Sequence, residues 1–132
     1  MTCAVLADTG PLYAANDEAD EHHRRALLQL EELARDRREV LIPYPILLEG
    51  YSLLLFKLGR NAASGWLMEV ANASFVNPMP QDYARGFATA QALADQNITL
   101  IDATVAALAS RLALEVWTYD HHFDVMGIPV WR

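Results

Sequence analysis

Apolar residues recur along this chain in two alternating rhythms. Short apolar or β-branched runs at Ala4–Ala7, Val40–Ile42, Ser74–Val76, Glu115–Tyr119 and Ile128–Val130 predict five strands. Between them the period lengthens to that of a helix. From about Asp20 to Arg37, the residues Ala26, Leu27, Leu30, Leu33 and Ala34 form one stripe, while Glu21, Arg24, Arg25, Glu31, Glu32 and Arg35 supply a polar face. Similar helical segments are expected near Ile46–Leu58, Asn61–Ala71, Asp82–Asp95 and Asp102–Leu112. Strands separated by helices pair in parallel through right-handed crossovers. The pattern therefore predicts an α/β fold in three layers, with a central, mostly parallel five-stranded twisted sheet covered by helices on both faces. In such folds ligands collect beyond the carboxyl ends of the strands, near a topological switch point.

Composition narrows the class. A chain of 132 residues fits one hydrophobic core, so residues 1–132 are expected to form a single domain. Its hydrophobic fraction of 53% and charged fraction of 20% are those of a globular chain rather than a disordered one. No repeat, low-complexity run or Gly/Ser-rich linker interrupts it. The longest apolar candidates, Ile46–Leu48 and Leu53–Phe56, are separated by Glu49 and Gly50 and fall short of the ~18–20 residues that span a bilayer. The start, from Met1 to Asp8, lacks the basic flank and length of a secretory signal, and a cytoplasmic location is the expectation. The one cysteine, Cys3, has no partner for a disulfide or a thiolate zinc site and is expected to be a small buried residue of the first strand.

Net charge is −7, which argues against a broad, sequence-independent grip on nucleic acid, because counterion release needs clustered cations. Nine of the ten basic residues are Arg, however, the exception being Lys57, and Arg suits bidentate phosphate contacts. Arg24-Arg25 and Lys57 with Arg60 are local patches that could serve, although a solvated helix face is the favoured reading of either one.

Four carboxylates carry the candidate chemistry. Asp8 ends the first predicted strand and opens Asp8-Thr9-Gly10-Pro11, a strand-to-helix junction with Pro suited to the first helical turn; either a site residue or a helix N-cap fits there. Asp120 follows Trp117-Thr118-Tyr119 at the end of another strand, at the same edge, where a turn role competes. Glu49 interrupts a segment apolar nearly all round, a pattern of largely buried helices, where a carboxylate is costly unless paired with a cation or metal. Asp102 enters a helix whose same-face neighbours are Ala106 and Ala109, which leave room beside it. The helix dipole favours an acid in a first turn, by ~0.3–1 kcal/mol, yet does not account for the apolar surroundings. If the four converge, pairs 4–6 Å apart repel by roughly 3–4 kcal/mol at an effective dielectric near 20, and a hard divalent cation is the natural counter-charge. Oxygen-only ligation suits Mg2+ or Mn2+; zinc would prefer Cys and His, which this pocket is not expected to contribute. Such ions activate water and stabilise the oxygens of an in-line phosphodiester displacement.

The segments Ala7-Asp8-Thr9-Gly10-Pro11-Leu12-Tyr13-Ala14, Leu48-Glu49-Gly50, Leu100-Ile101-Asp102-Ala103 and Thr118-Tyr119-Asp120-His121-His122-Phe123 resemble, in order and spacing, the acidic motifs of PIN domains. The likeness covers nearly the whole chain, whose size is similar to that of VapC-type bacterial toxins, ribonucleases paired with an antitoxin and usually dimeric. The resemblance implies a PIN-like fold and a metal-dependent endoribonuclease acting on RNA, with a protein antitoxin and a second copy of the chain as partners. It further implies that Asp8 and Asp102 chiefly hold Mg2+ (or Mn2+), that Glu49 and Asp120 complete the site, and that Thr9 and Thr118 support it. Asp124 fits a surface helix-turn residue, and the pairs His22-His23 and His121-His122 are expected to be solvated.

Other readings fit less well. DHH phosphoesterases share only Asp120-His121-His122 and need upstream Asp and His motifs absent here. A haloacid-dehalogenase-like phosphatase would want an Asp where Gly10 stands, and a receiver domain a Lys after its fifth strand. A PIN-like module that binds RNA or protein without cleaving would be expected to lose some of the four acids, all of which are present.

Overall fold

The computed structural model describes residues 3–132. Five parallel strands, β1 (Ala4–Ala7), β2 (Glu39–Pro43), β3 (Ser74–Val76), β4 (Glu115–Trp117) and β5 (Val130–Trp131), form one sheet in the order β3-β2-β1-β4-β5. Seven α-helices flank it: α1 (Thr9–Asn16), α2 (His23–Arg35), α3 (Tyr44–Leu58), α4 (Arg60–Val70), α5 (Pro80–Ala92), α6 (Leu100–Leu112) and α7 (His122–Val125). The chain first moves outward from β1 to β3, then returns past β1 to β4 and β5. With right-handed crossovers, that reversal places α1–α4 on one face and α5–α7 on the other. It also creates the switch point between β1 and β4, whose pairing runs from Val5 opposite Glu115 to Ala7 opposite Trp117.

The central strands are apolar throughout because both faces are covered: Val5, Leu6, Ala7, Val116 and Trp117 are wholly buried. The predicted elements lie close to these, and their ends differ for local reasons. β4 stops at Trp117 rather than Tyr119, because the Thr118 hydroxyl bonds outside the ladder, to Asp8 and to the Asp120 backbone. The last strand is Val130–Trp131 instead of Ile128–Val130, since the Ile128 N–H returns to the Phe123 carbonyl to close α7. Cys3 corrects an expectation: it precedes β1, is exposed, and lies 3.4 Å from the Arg38 guanidinium. The preceding residues, Met1 and Thr2, lie outside the described residues.

The helices depart further from expectation. On α2 the buried residues are Ala26, Gln29 and Leu33, while Leu27, Leu28 and Ala34 face outward, so the stripe is rotated toward a polar residue. On α3 only Ile46, Gly50 and Leu54 are buried, and Leu48, Leu55 and Phe56 stand exposed. The buried environment inferred for Glu49 is thus incorrect; an all-round apolar helix here buries one face and leaves the other open. Trp66 of α4 is buried: a Cβ on Gly50 would lie 2.8 Å from its ring, so α3 and α4 meet through that glycine.

On the other face, α5 and α6 pack as closely. A Cβ on Gly86 would stand 2.9 Å from the backbone nitrogen of Thr104, which cannot rotate away. Asp82, buried in the first turn of α5, accepts two-pronged hydrogen bonds from Arg111 (2.9 and 2.8 Å) and one from the Met79 N–H, and these partners hold its carboxyl below the usual carboxylate range. Gly86→Ala should therefore lower stability by about 1–3 kcal/mol through overpacking. Gly65→Ala, in α4 with open space around the added methyl, should raise it by about 0.5–1 kcal/mol through helix propensity. Urea denaturation of both variants tests the pair, and equal effects would contradict the packing assigned to Gly86.

Candidate active site

The carboxyl edge at the β1/β4 switch point opens into a cleft of about 480 Å³ lined by Asp8, Thr9, Gly10, Glu49, Thr99, Asp102, Tyr119, Asp120 and His121. All four carboxylates singled out in the sequence meet there, each delivered by a different element. Asp8 follows β1, Glu49 projects from α3, Asp102 lies in the first turn of α6, and Asp120 follows β4. Gly10 passes beneath the Tyr119 side chain, where an added Cβ would find only ordinary contacts at 3.9 Å.

Asp8 occupies the residue before α1, yet its side chain makes no capping bond. Instead it accepts the Thr118 hydroxyl at 2.7 Å, while its N–H continues the sheet by donating to the Trp117 carbonyl at 2.9 Å. Burial pushes the Asp8 carboxyl up to about 7, and neighbouring Asp102 and Glu49 add to the rise against the lowering effect of the Thr118 hydrogen bond. A simple N-cap would favour its charged form. Asp102 behaves similarly. Thr99 caps α6 by accepting the Asp102 N–H at 3.0 Å, which places the acid where the helix dipole supports a negative charge. Its carboxyl is nevertheless raised, chiefly by burial and then by Asp120, so crowding outweighs the dipole.

Hydroxyls position the acids. Thr118 donates to Asp8 and accepts the Asp120 N–H at 2.9 Å, so one side chain ties the ends of β1 and β4 together. Thr9 donates to Glu49, joining α1 to α3 across the cleft. Asp120 also serves as a turn residue, its Oδ1 accepting the His122 N–H at 2.9 Å, and its carboxylate remains partly exposed. The turn role weighed for it from sequence is therefore present, and the same carboxylate lines the cleft.

Three neighbours escaped the sequence reading. Thr99 was passed over because a hydroxyl at a helix start is ordinary, and the Ser/Thr-x-x-Asp spacing to Asp102 was the available signal. Gln29 accepts hydrogen bonds from Trp117 Nε1 at 2.9 Å and Tyr119 Oη at 2.6 Å, docking α2 behind the site. His122 corrects an expectation: it is largely buried rather than solvated, with Nδ1 3.2 Å from Asp120 Oδ1 and 3.8 Å from Asp102 Oδ2. The cleft thus borders on nitrogen as well as oxygen donors, contrary to the oxygen-only set inferred from sequence. His121 lies at the rim, 76% exposed, and Asp124 is a surface residue paired with Arg132 at 2.9 Å.

The family model of the PIN domain matches residues 5–129. The chain belongs to the PIN domain family. No curated protein matches it significantly, but solved structures do. VapC20 of Mycobacterium tuberculosis, described as a sarcin-ricin loop cleaving toxin, superposes with a TM-score of 0.83 at 17% identity, covering 97% of this chain and 98% of that one. FitAcB from Neisseria gonorrhoeae gives 0.70 at 18% identity, with 97% and 96% covered. VapBC2 from Rickettsia felis, solved with a DNA fragment from its promoter, gives 0.73 at 13% identity, with 98% and 97% covered. At these identities the likeness is one of fold: the five-stranded parallel α/β architecture is that of the VapC structures.

The raised Asp8 carboxyl has a signed consequence for the metal-free PIN domain. Its folded value near 7 lies above the ordinary 3.8, so its stabilising contribution is complete below about pH 4 and is lost as pH rises through 7. Asp8→Asn keeps the shape and an acceptor for Thr118 without the charge. Between pH 5 and pH 8, melting of the chelator-treated wild type should fall relative to that of Asp8→Asn; parallel curves would contradict the crowding argument.

Proposed function

We propose that this PIN domain, spanning residues 1–132, is a metal-dependent endoribonuclease and the toxin of a toxin–antitoxin pair. The observation that carries the reading is the meeting of Asp8, Glu49, Asp102 and Asp120, from four distant parts of the chain, in one cleft at the switch point of the sheet. The structural neighbour VapC20, described as a sarcin-ricin loop cleaving toxin, supports it.

Whether the cleft suits a divalent cation can be judged from its own groups. Asp8 is buried against other acids with no basic side chain beside it, and the buried His122 Nδ1 has no hydrogen-bond partner. Both features fit a cation. Asp8 and Asp102 would hold it, with Glu49 and Asp120 completing the set, and Mg2+ or Mn2+ matches the dominant carboxylate chemistry. When bound, the ion supplies counter-charge, a more acidic water and stabilisation of the charge that develops on the phosphodiester. The chain does the positioning. Thr118 holds the Asp8 carboxylate in one orientation, Thr9 holds Glu49, the Thr99 cap of α6 sets Asp102, and the turn onto the His122 N–H sets Asp120. His121, well exposed at the rim, marks a solvent-facing side from which a polymer strand could enter the cleft.

An antitoxin is the expected protein partner. A basic side chain entering the acid cluster could replace the cation's charge, which gives a physical route to inhibition. A second copy of the chain is the other: Leu48, Phe56 and Met68 are 67%, 87% and 80% exposed on α3 and α4, a concentration of apolar surface that homodimer formation would cover.

Cleavage of RNA should need added Mg2+ or Mn2+, and Asp8→Asn should lose activity by about 100-fold or more, the scale of several kcal/mol of transition-state stabilisation. A product gel with wild type and variant, each with and without metal, decides the matter. Metal-independent cleavage or full activity in the variant sinks the nuclease reading; RNA binding without cleavage would identify a non-catalytic module. In light scattering at micromolar concentration, wild type should show twice the 14.7 kDa chain mass. Phe56→Glu should show the single mass, and a monomeric wild type would dispose of the dimer.

A further inference from the structure

His122 is the one buried donor at the acid cluster that the carboxylate chemistry leaves unused. Its Nδ1 is shielded from solvent and makes no hydrogen bond, although Asp120 Oδ1 lies at 3.2 Å and Asp102 Oδ2 at 3.8 Å. At 3.2 Å the distance to Asp120 would allow a bond, so it is the direction of the ring nitrogen that excludes one, while the same oxygen accepts the backbone N–H of His122. A buried nitrogen without a partner costs about 1–3 kcal/mol, so its orientation toward two carboxylates calls for something between them. Ligand atoms about 2.0–2.2 Å from one ion lie roughly 3.0–3.5 Å apart in octahedral or tetrahedral arrangements. The Nδ1–Asp120 spacing falls in that range, and the Nδ1–Asp102 spacing needs to close by only a few tenths of an ångström.

We propose that His122 Nδ1 is a ligand of the cation and, together with Asp102 and Asp120, determines which metal the cleft prefers. The inference rests on the cation-holding reading of the cleft. Imidazole nitrogen is a poor ligand for Mg2+ and is accepted more readily by first-row transition ions, among which Mn2+ is the one that still suits carboxylates, so a mixed nitrogen and carboxylate set biases the cleft toward Mn2+ over Mg2+. The backbone favours His122 over its neighbour. The Asp120 turn and the start of α7 hold its side chain at 15% exposure, whereas the His121 side chain, although its Nδ1 lies 3.7 Å from the same Asp120 oxygen, is 76% exposed to water. Sulfur donors play no part, since Cys3, the single cysteine, lies before β1.

The test measures metal binding directly, without RNA. Pulsed electron paramagnetic resonance of Mn2+-loaded wild type should show nitrogen hyperfine coupling; the coupling should persist in His121→Ala and vanish in His122→Asn. Calorimetric titration should show His122→Asn losing on the order of tenfold in Mn2+ affinity, with Mg2+ affinity changing by less than about twofold. Circular dichroism checks that the variants fold. Absence of nitrogen coupling in the wild type, or its loss in His121→Ala, overturns the assignment whether or not His122→Asn folds. Equal losses for both metals would mark His122 as a positioning residue for Asp120 and also overturn it. Failure of either metal to bind wild type would instead defeat the cation reading of the whole cleft, and oxygen-only binding would defeat this inference alone.

Discussion

Asp8 ends the central strand at a place where the surrounding chain removes nearly all water from its carboxyl, and two further acids raise the cost of ionising it. Isolated burial of one carboxylate is costly; clustering several at short range adds repulsion on top of it. The folded chain meets that cost by having its other parts hold the acids in place. Thr118 fixes Asp8 to the end of β4, and Thr9 fixes Glu49 to the start of α1, so the cluster is braced by hydroxyls that donate to negative charge. Such bracing tolerates the charge without cancelling it, which is the electrostatic basis for the cation proposed above.

The scaffold behind the cleft shows the same division of labour. Gln29 satisfies the buried Trp117 indole and the Tyr119 hydroxyl at once, so α2 is tied to the segment that carries Thr118 and Asp120. On the opposite face, the pair of Asp82 with Arg111 and the close approach at Gly86 hold α5 against α6, the helix that presents Asp102. Each site acid therefore stands on an element whose position is set by a polar or steric lock remote from the chemistry. Rigid support of this kind keeps crowded charges from relaxing apart.

The alternation of strands and helices was legible in the sequence because buried parallel strands and amphipathic helices differ in period, and the switch point follows once β1 must pair on both sides. Asp8 and Asp120 were legible because strand ends mark the carboxyl edge. Glu49 was found for a reason that does not hold, since α3 buries one side only; its position opposite Thr9 depends on helix packing that no local pattern encodes. His122 was misread as solvated, because an adjacent His pair looks like a surface feature until the Asp120 turn aims one ring inward. Gln29 was hidden for a related reason: a polar residue on an apolar stripe reveals its buried role only when its long-range partners are known.

If the proposed nuclease reading holds, the charge distribution has to let an acidic domain face an anionic polymer. The net charge of −7 repels phosphate at a distance, but screening limits that field to about 8 Å at physiological salt, so the local pattern governs close approach. Arg25 stacks over Tyr119 at 4.4 Å from the ring centroid, beside the mouth of the cleft, and Arg132 lies on the same side although partly engaged by Asp124. A strand approaching from there would meet guanidinium groups before it met carboxylates. On the proposed nuclease reading, a cation in the cleft would convert the most negative point on that path into an attractive one, and would so assist the approach of the strand as well as the chemistry.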